Sequence, residues 1–488
     1  MTVFKRSNSF QQFGFSITRS PWSFLNLVCP YVLYPFVYIN FSFPLRLRNK
    51  KGDKTVDGKL TWWQMSFIGV GCIIGTGFFL GSSIAIELAG PSVLICYLAA
   101  GIGTYIVFHA LASMTAHHPE KGSFRTYAKQ AFGTWAGFGN GWLYWCSEML
   151  IMGSQLTALA IFARFWFPHV PLWLCAACFA VLGLSVLWIG TQLIEKLENI
   201  CGLIKLAALV MFLILAIVAL FGGFEESAGQ TLSSPLEEFF TQGFNGIWAA
   251  LIFCFYAFGG IEVMGLMAKE LKDPKDALRS GKWMLLALTV LYILGFWLVM
   301  EIVSWAAISP DESPFLSALK TFSLPLVPDI FNGLLIVAGF STMVASLYAV
   351  TTMLMTLSEE GDAPARFKEE KSGRVSGAAF LLTVIVVAAS VILAVWLPET
   401  IFEYITTAAG LLLLYNWAFI LLSYYKLMAR AWFAKIRVTT GLLLLLSAVT
   451  GTLLEKIART GFYVSLLFLI VIAIATYIKQ KQSPIMKS

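Results

Sequence analysis

The sequence predicts an all-α polytopic membrane protein with about 12 transmembrane helices. Only 12% of its 488 residues are charged, about half the share that covers a soluble domain, and 58% are hydrophobic. Apolar runs of about 20 residues, the length that crosses the hydrocarbon core, follow one another from residue 62 almost to the C-terminus. They leave almost no sequence for a soluble domain.

Twelve apolar runs supply the expected spans. They are approximately 62–88, 91–115, 134–166, 171–193, 198–221, 242–268, 283–306, 328–357, 377–396, 399–425, 438–454 and 460–478. The chain is therefore expected to comprise an N-terminal cytoplasmic or interfacial extension (1–60), a transmembrane domain (61–480) and a short cytoplasmic tail (481–488).

Lys and Arg residues are distributed unequally between the two sides of the membrane. With the N-terminal flank of the first span inside, 27 of the 34 lie on the cytoplasmic side and four on the other. Positively charged loops remain in the cytoplasm, so both termini of this multi-pass protein are expected on the cytoplasmic side of the cell membrane. The net charge of +7 is a topology signal and indicates no nucleic-acid partner.

The first sixty residues do not fit this pattern. The stretch Pro21–Leu45 is apolar and aromatic, but four prolines interrupt it, and a crossing would place Lys5, Arg6 and Arg19 outside. We therefore expect interfacial packing rather than a span. Alternatively, the working protein lacks this segment. A cleaved signal peptide is not expected, because no short apolar core with a small-residue cleavage site is evident.

Cysteine and histidine residues give no sign of a metal or redox site. Cys175 and Cys178 form a CxxC motif, but there is no second pair and no nearby histidine, and the four histidines lack ligand spacing. We expect no metal and no cofactor. An enzyme is not expected either, because the sequence supplies no convergent nucleophile or metal set.

Glycines are concentrated in two spans. The stretch GVGCIIGTGFFLG, residues 69–81, contains five glycines, and FCFYAFGGIEVMG, residues 253–265, has a central Gly-Gly followed by Glu262. The GxxxG spacing in the first stretch would also suit close packing of two helices. However, paired glycine-interrupted spans at matching places in two halves are typical of the binding site of a transporter.

The positions of the two interruptions predict an inverted repeat. Gly75 and Gly259 are about 185 residues apart, with five spans from one to the next, so the second set must enter from the opposite side. The result is a 5+5 inverted repeat plus two C-terminal helices, with the first and sixth helices broken. Free N–H groups of IIGTG suit a carboxylate, and free carbonyls of YAFGG suit an ammonium. Together they suit an α-amino acid.

Several motifs, in order, resemble the amino acid-polyamine-organocation (APC) permease superfamily, and the resemblance covers roughly residues 55–480. Besides the two glycine stretches they are AGP (89–91), PEKGSFRTYA (119–128), GWLYW (141–145), KELKDPKDALRSG (269–281) and SLYAVTTMLMTLSEEGDAPARF (346–367). The resemblance implies an amino acid permease domain over residues 61–480, with the fold of a bacterial leucine transporter.

The resemblance also implies substrate-binding residues at the two breaks. The first break would hold the α-carboxylate on the backbone of Ile74, Gly75, Thr76 and Gly77. The second would hold the α-amino group on carbonyls near Tyr256, Ala257 and Gly259, with the Tyr256 ring closing over the substrate. Ser346 aligns with a large aromatic residue of arginine-exchanging relatives, which implies a differently shaped pocket.

Two charged residues are expected to couple transport to protons. Lys205, in the IK of the fifth span, matches a lysine whose ammonium takes the place of sodium in sodium-coupled relatives, although it could instead extend to the cytoplasmic interface. Glu262 matches a glutamate tied to proton movement in relatives, although it could instead be a solvated or ion-paired carboxylate.

The third span leaves the substrate class open. Glu148 could recognise a cationic side chain or pair structurally with Lys205 or a loop cation, and Gln155 stands near a position where related permeases often have an acid. We expect proton-coupled uptake of a neutral amino acid by alternating access, with amino acid, protons and membrane lipid as partners. An amino acid exchanger and a cationic amino acid or polyamine transporter are the alternatives. A non-transporting sensor would need a signalling domain, for which there is no room.

Overall fold

The chain folds into α-helices, and no β-strand occurs among the residues that the structure describes. The computed structural model describes residues 60–120, 122–222, 239–267, 271–322, 324, 326–368, 375–396 and 400–482. Its α-helices are α1 (Trp62–Ile73), α2 (Thr76–Phe79), α3 (Gly81–Ala89), α4 (Val93–His117), α5 (Ser123–Phe132), α6 (Thr134–Arg164), α7 (Leu172–Ile189), α8 (Thr191–Leu220), α9 (Gly243–Tyr256), α10 (Ile261–Met267), α11 (Asp276–Ile302), α12 (Pro314–Lys320), α13 (Val327–Glu359), α14 (Gly377–Trp396), α15 (Ile401–Leu427), α16 (Trp432–Gly451) and α17 (Lys456–Gln482).

The predicted all-α polytopic membrane fold is confirmed. Ten described helical segments are long and apolar enough to cross a membrane. The first predicted span is divided into α1 and the α2–α3 segment, and the sixth into α9 and α10. Each of the other ten predicted spans corresponds to one of the long helices α4, α6, α7, α8, α11, α13, α14, α15, α16 and α17.

The two broken spans run antiparallel, as an inverted repeat requires. Leu60, just before α1, pairs with Leu271 beyond α10, and the Lys272 N–H donates to the Leu60 carbonyl at 2.9 Å. At the opposite end, Gly246 of α9 packs directly against the Leu88 carbonyl of α3. The N-terminus of each broken span therefore lies beside the C-terminus of the other.

Polar side chains join the helices that surround the broken spans. Asn140 of α6 donates to Asn416 of α15 at 2.8 Å, and the Ser154 and Thr406 hydroxyls lie 2.7 Å apart between the same two helices. Because lipid offers no competing hydrogen bonds, such contacts hold neighbouring membrane helices in register. They anchor α6, which packs on both α13 and α15.

The short helix α5 is linked to the end of α13 by a buried arginine. Arg125 is only 2% exposed, and its Nη1 lies 2.6 Å from Oε1 of Glu360. It also forms an ion pair with Asp362. Its Nε donates to the Gly137 carbonyl of α6 at 3.1 Å. This arrangement ties together three segments that the charge distribution predicts to lie at the cytoplasmic face.

Both terminal segments lie outside the described residues, except at their inner edges. Residues 1–59, with the Pro21–Leu45 stretch, and residues 483–488 are not described, while α17 continues to Gln482. The predicted N-terminal extension and cytoplasmic tail therefore stay predictions.

Candidate functional site

The first broken span has two residues of extended backbone between α1 and α2. Ile74 has φ −71° and ψ 106°, and Gly75 has φ −149° and ψ −160°. Among the described residues, no acceptor is found for the N–H groups of Gly75, Thr76 and Gly77, while Phe78 donates back to the Gly75 carbonyl at 3.1 Å. Three N–H groups are therefore free at the start of the α2–α3 segment.

Thr76 adds a side-chain group to this break. Its residue is 1% exposed, and its Oγ1 is buried without a hydrogen-bond partner among the described residues. Buried hydroxyl groups are nearly always hydrogen-bonded. The first break therefore presents a free hydroxyl as well as free backbone donors.

The second broken span turns between α9 and α10 through Ala257, Phe258, Gly259 and Gly260. Gly260 has φ +108°, a conformation that residues with a side chain rarely adopt. The Phe258 and Gly259 carbonyls accept no hydrogen bond within the described part of the chain. In contrast, the Ala257 carbonyl accepts one from the Tyr292 hydroxyl at 3.3 Å. Free acceptors are thus present at the end of α9.

The Tyr256 carbonyl is already used within the turn. It accepts a hydrogen bond from the Gly259 N–H at 3.0 Å. The Tyr256 side chain is 7% exposed at the end of α9. Of the three residues predicted for this break, Gly259 therefore has the free carbonyl, and Tyr256 contributes mainly its ring.

Close contacts bring the two breaks together. A Cβ atom built on Gly77 would lie 2.8 Å from Cδ1 of Tyr256, and one built on Gly260 would lie 3.0 Å from the Cys72 carbonyl oxygen. A Cβ atom on Gly75 would lie 3.0 Å from Cγ2 of Thr342 in α13. The absence of side chains at these glycines therefore lets the breaks meet each other and α13.

Lys205 reaches the first broken span from α8. Its side chain is 2% exposed, and its Nζ donates to the carbonyl of Gly71, in the last turn of α1, at 2.7 Å. A Cβ atom on Gly71 would lie 3.2 Å from the Cα atom of Gly202, so α1 and α8 are almost in backbone contact. A cation here complements the negative end of the α1 dipole. A Lys205 side chain that extended to the cytoplasmic interface, which was the alternative expectation, would not make this contact.

Glu262 occupies the first turn of α10 and is fully buried. Its Oε2 accepts the Gly260 N–H at 3.0 Å, and its Oε1 accepts the indole N–H of Trp417 in α15. A carboxylate here complements the positive end of the α10 dipole. Glu262 therefore caps the second half of the broken span and ties it to α15.

Ser346 lies near the breaks but one turn further along α13. It follows Thr342, which contacts Gly75, by four residues, so both side chains lie on one face of the helix. Ser346 and Tyr144 lie near the Glu148 carboxylate. The structure thus places the predicted Ser346 beside Glu148 rather than at a break.

Two contact residues were not predicted from the sequence. The only feature of the sequence that could have indicated Thr342 is its spacing of one helical turn from Ser346. Nothing in the sequence indicates Trp417, because its contact with Glu262 joins residues 155 positions apart. The described residues include no group of three or more His, Cys, Asp or Glu side chains that could hold a metal ion.

Comparisons with known proteins show the family of the chain. A profile of the family described as amino acid permease matches residues 64–487. The chain is 51% identical to an uncharacterized transporter, YcgH, of Bacillus subtilis over 426 residues, which cover 87% of this chain and 96% of that protein.

Two relatives with named substrates are more distant. The aromatic amino acid transport protein AroP of Corynebacterium glutamicum is 31% identical over 75% of this chain and 80% of its own length. The D-serine/D-alanine/glycine transporter of Escherichia coli K12 is 27% identical over 76% of this chain and 81% of its own length. With two facing helix breaks and a family match over most of its length, the chain belongs to the amino acid permease family of the APC superfamily.

Proposed function

We propose that this permease takes up a neutral amino acid across the cell membrane by alternating access, coupled to protons, with both of its termini in the cytoplasm. The helix breaks support the binding of an α-amino acid, and the position of Lys205 supports proton coupling. The names of two relatives support a neutral substrate.

Four helix ends meet at the two breaks, and the observation that carries the proposal is that only two of them already have a complementary charged side chain. Lys205 already complements the C-terminal end of α1, and Glu262 already complements the N-terminal end of α10. The N-terminal end of the α2–α3 segment and the C-terminal end of α9 have free N–H and carbonyl groups. A ligand with one carboxylate and one ammonium would satisfy both.

An α-amino acid has these two groups at a fixed short separation. The contact between Gly77 and Tyr256 places the two free ends side by side, so one small molecule could reach both. The N–H groups of Gly75, Thr76 and Gly77 would bind the carboxylate, and the Gly259 carbonyl would bind the ammonium. The chain's membership of the family supports this assignment.

Proton coupling is supported by the position of Lys205. Its ammonium is buried on the Gly71 carbonyl, at a helix end where a sodium ion would otherwise be favourable. A lysine ammonium there carries a proton, which a sodium ion would not. Lys205 would therefore exchange a proton as the access side changes, and the buried Glu262 on the facing break would be a second proton site.

A neutral substrate is supported by the names of two relatives. One is named for aromatic amino acids and the other for D-serine, D-alanine and glycine, all of which have uncharged side chains. Both relatives are less than a third identical to this chain, so they support the class of substrate and not its identity.

Uptake of radiolabelled amino acids into proteoliposomes tests the proposal. We expect an inward proton gradient to drive accumulation of at least one neutral amino acid, and we expect replacement of Na⁺ by K⁺ or choline to have no effect. Strict Na⁺ dependence would overturn the coupling. Uptake that requires amino acid inside the liposomes and does not change with the proton gradient would indicate an exchanger instead.

A further inference from the structure

We propose that Glu148 recognises the side chain of the substrate and favours side chains that carry an N–H or O–H donor. This inference rests on the proposed function, since it assumes that an amino acid binds between the two breaks. It assigns a residue to the part of the substrate that the backbone groups do not contact.

Glu148 lies among residues of four helices near the breaks. It is 7% exposed on α6, with the Tyr144 and Ser346 hydroxyls close to its carboxylate. Tyr256 at the end of α9 and Glu262 of α10 also lie near it. These are the titratable and hydroxyl groups that face it from α6, α9, α10 and α13.

The distance from the breaks to Glu148 suits an amino acid side chain. Thr342 contacts Gly75, and Ser346, four residues later on α13, lies beside Glu148. Four residues of α-helix rise about 6 Å, which is the reach of a side chain of a few bonds. A substrate held by its α-carboxylate at Gly75 could therefore bring its side chain to Glu148.

The Glu148 carboxylate has no cation of its own. None of the ion pairs among the described residues includes it, and another carboxylate, Glu262, lies near it. A buried carboxylate without a cation is costly unless hydrogen-bond donors surround it. The Tyr144 and Ser346 hydroxyls lie near the carboxylate, and a side-chain donor of the substrate would give it a hydrogen bond.

Gln155 provides a second observation on the same face of α6. It follows Glu148 by seven residues, two helical turns, so the two side chains point in similar directions. Its Oε1 is buried without a partner in the described part of the chain. One turn further, Leu159 contacts Gly339, which in turn packs against the Thr76 methyl group. The face of α6 that runs toward the first break thus carries two buried acceptors, the Glu148 carboxylate and Gln155 Oε1.

Competition binding with matched amino acid pairs tests the proposal. In each pair one member carries a donor and the other is a close isostere without it: threonine and valine, serine and 2-aminobutyrate, lysine and norleucine. We expect wild-type protein to prefer the donor-bearing member at least tenfold in one or more pairs, because a polar site rejects the analogue that leaves it unpaired.

Two substitutions separate hydrogen bonding from charge. Glu148→Leu removes the acceptor, and we expect it to reduce every preference to within twofold. Glu148→Gln keeps an acceptor but no charge, so it should retain a hydroxyl preference and lose any preference for lysine over norleucine. Glu301→Gln is the matched control, because Glu301 is bonded to Trp297 at the end of α11, and the preferences should not change.

The outcomes distinguish this proposal from the proposed function. Equal binding of both members of every pair by wild-type protein would overturn it, and so would preferences that neither Glu148 substitution changes. If Glu148→Leu does not fold, Glu148→Met, which also removes the acceptor and keeps a flexible chain of similar length, is measured with the same pairs. Failure of wild-type protein to bind any amino acid would instead overturn the proposed function.

Discussion

Replacement of Gly77 by alanine should weaken substrate binding through the Tyr256 ring. The new Cβ atom would lie 2.8 Å from Cδ1 and 2.9 Å from Cε1 of that ring. Carbon atoms in favourable contact are about 3.5–4.0 Å apart. The ring must therefore move by roughly 1 Å, away from the position in which we propose that it covers the substrate.

The size of the effect follows from the cost of overpacking. One extra methyl group in a well-packed site costs about 1–3 kcal/mol. Covering the substrate would require the ring to return to its wild-type position against this strain, so the dissociation constant should rise by about 5- to 150-fold, since 1.4 kcal/mol corresponds to a factor of ten. Competition against a labelled substrate in detergent measures this change directly.

Gly81→Ala is the matched control for Gly77→Ala. Gly81 lies four residues further along the same broken span, and a Cβ atom there would meet no atom within 4 Å. Alanine is favoured over glycine in a helix by about 0.5–1 kcal/mol, so Gly81→Ala should bind substrate normally and be at least as stable as wild type. Equal binding by wild type and Gly77→Ala, or an equal loss in both variants, would refute the reasoning.

Three further substitutions test the account around the site. Gly260→Ala should lower the melting temperature in detergent, because its φ of +108° and its contact with Cys72 disfavour a side chain by about 1–3 kcal/mol; an unchanged melting temperature would contradict this. Arg125→Met should destabilise the protein by about 1–3 kcal/mol, because it removes the buried cation that pairs with Glu360 and Asp362 and leaves Asp362 only the more distant Lys479; melting no lower than wild type would argue against these pairs. Lys205→Met should bind substrate yet no longer accumulate it in a proton gradient, and gradient-driven accumulation by this variant would exclude Lys205 as the coupling residue.

The sequence predicted the spans and the breaks because both depend on local composition. Long apolar runs must be helical in lipid, since every backbone group needs a partner. A glycine pair inside such a run marks the place where the helix can end. The observed turn at residues 257–260 includes the predicted Gly259, and the extended Ile74 and Gly75 include the predicted Gly75.

The glycines of the first span divide between the two roles considered for them. Gly71 packs against Gly202, as a close-packing motif would, whereas Gly75 and Gly77 face Thr342 and Tyr256 at the break. Gly81 contacts nothing within 4 Å. Spacing alone could not separate these roles, because it does not show which face of the helix meets which neighbour.

Contacts between distant segments were beyond prediction from the sequence. The bond from Trp417 to Glu262 and the Arg125 pairs with Glu360 and Asp362 depend on the three-dimensional packing of helices far apart in the chain. The helix α5 escaped prediction because it is short and has a polar face, unlike the spans. Lys205 was predicted from its place in the IK of the fifth span, but its carbonyl partner Gly71 was not.

The central claim is that the two breaks bind opposite ends of one amino acid, and substrate analogues test it most directly. The α-methyl ester removes the charge that we assign to Gly75, Thr76 and Gly77, and the N-acetyl derivative removes the charge that we assign to the Gly259 carbonyl. An unpaired buried polar group costs about 1–3 kcal/mol, so each derivative should compete at least about tenfold more weakly than the parent amino acid. Equal competition by the ester and the parent would contradict the account, because the free N–H groups of the first break would then have no part in binding.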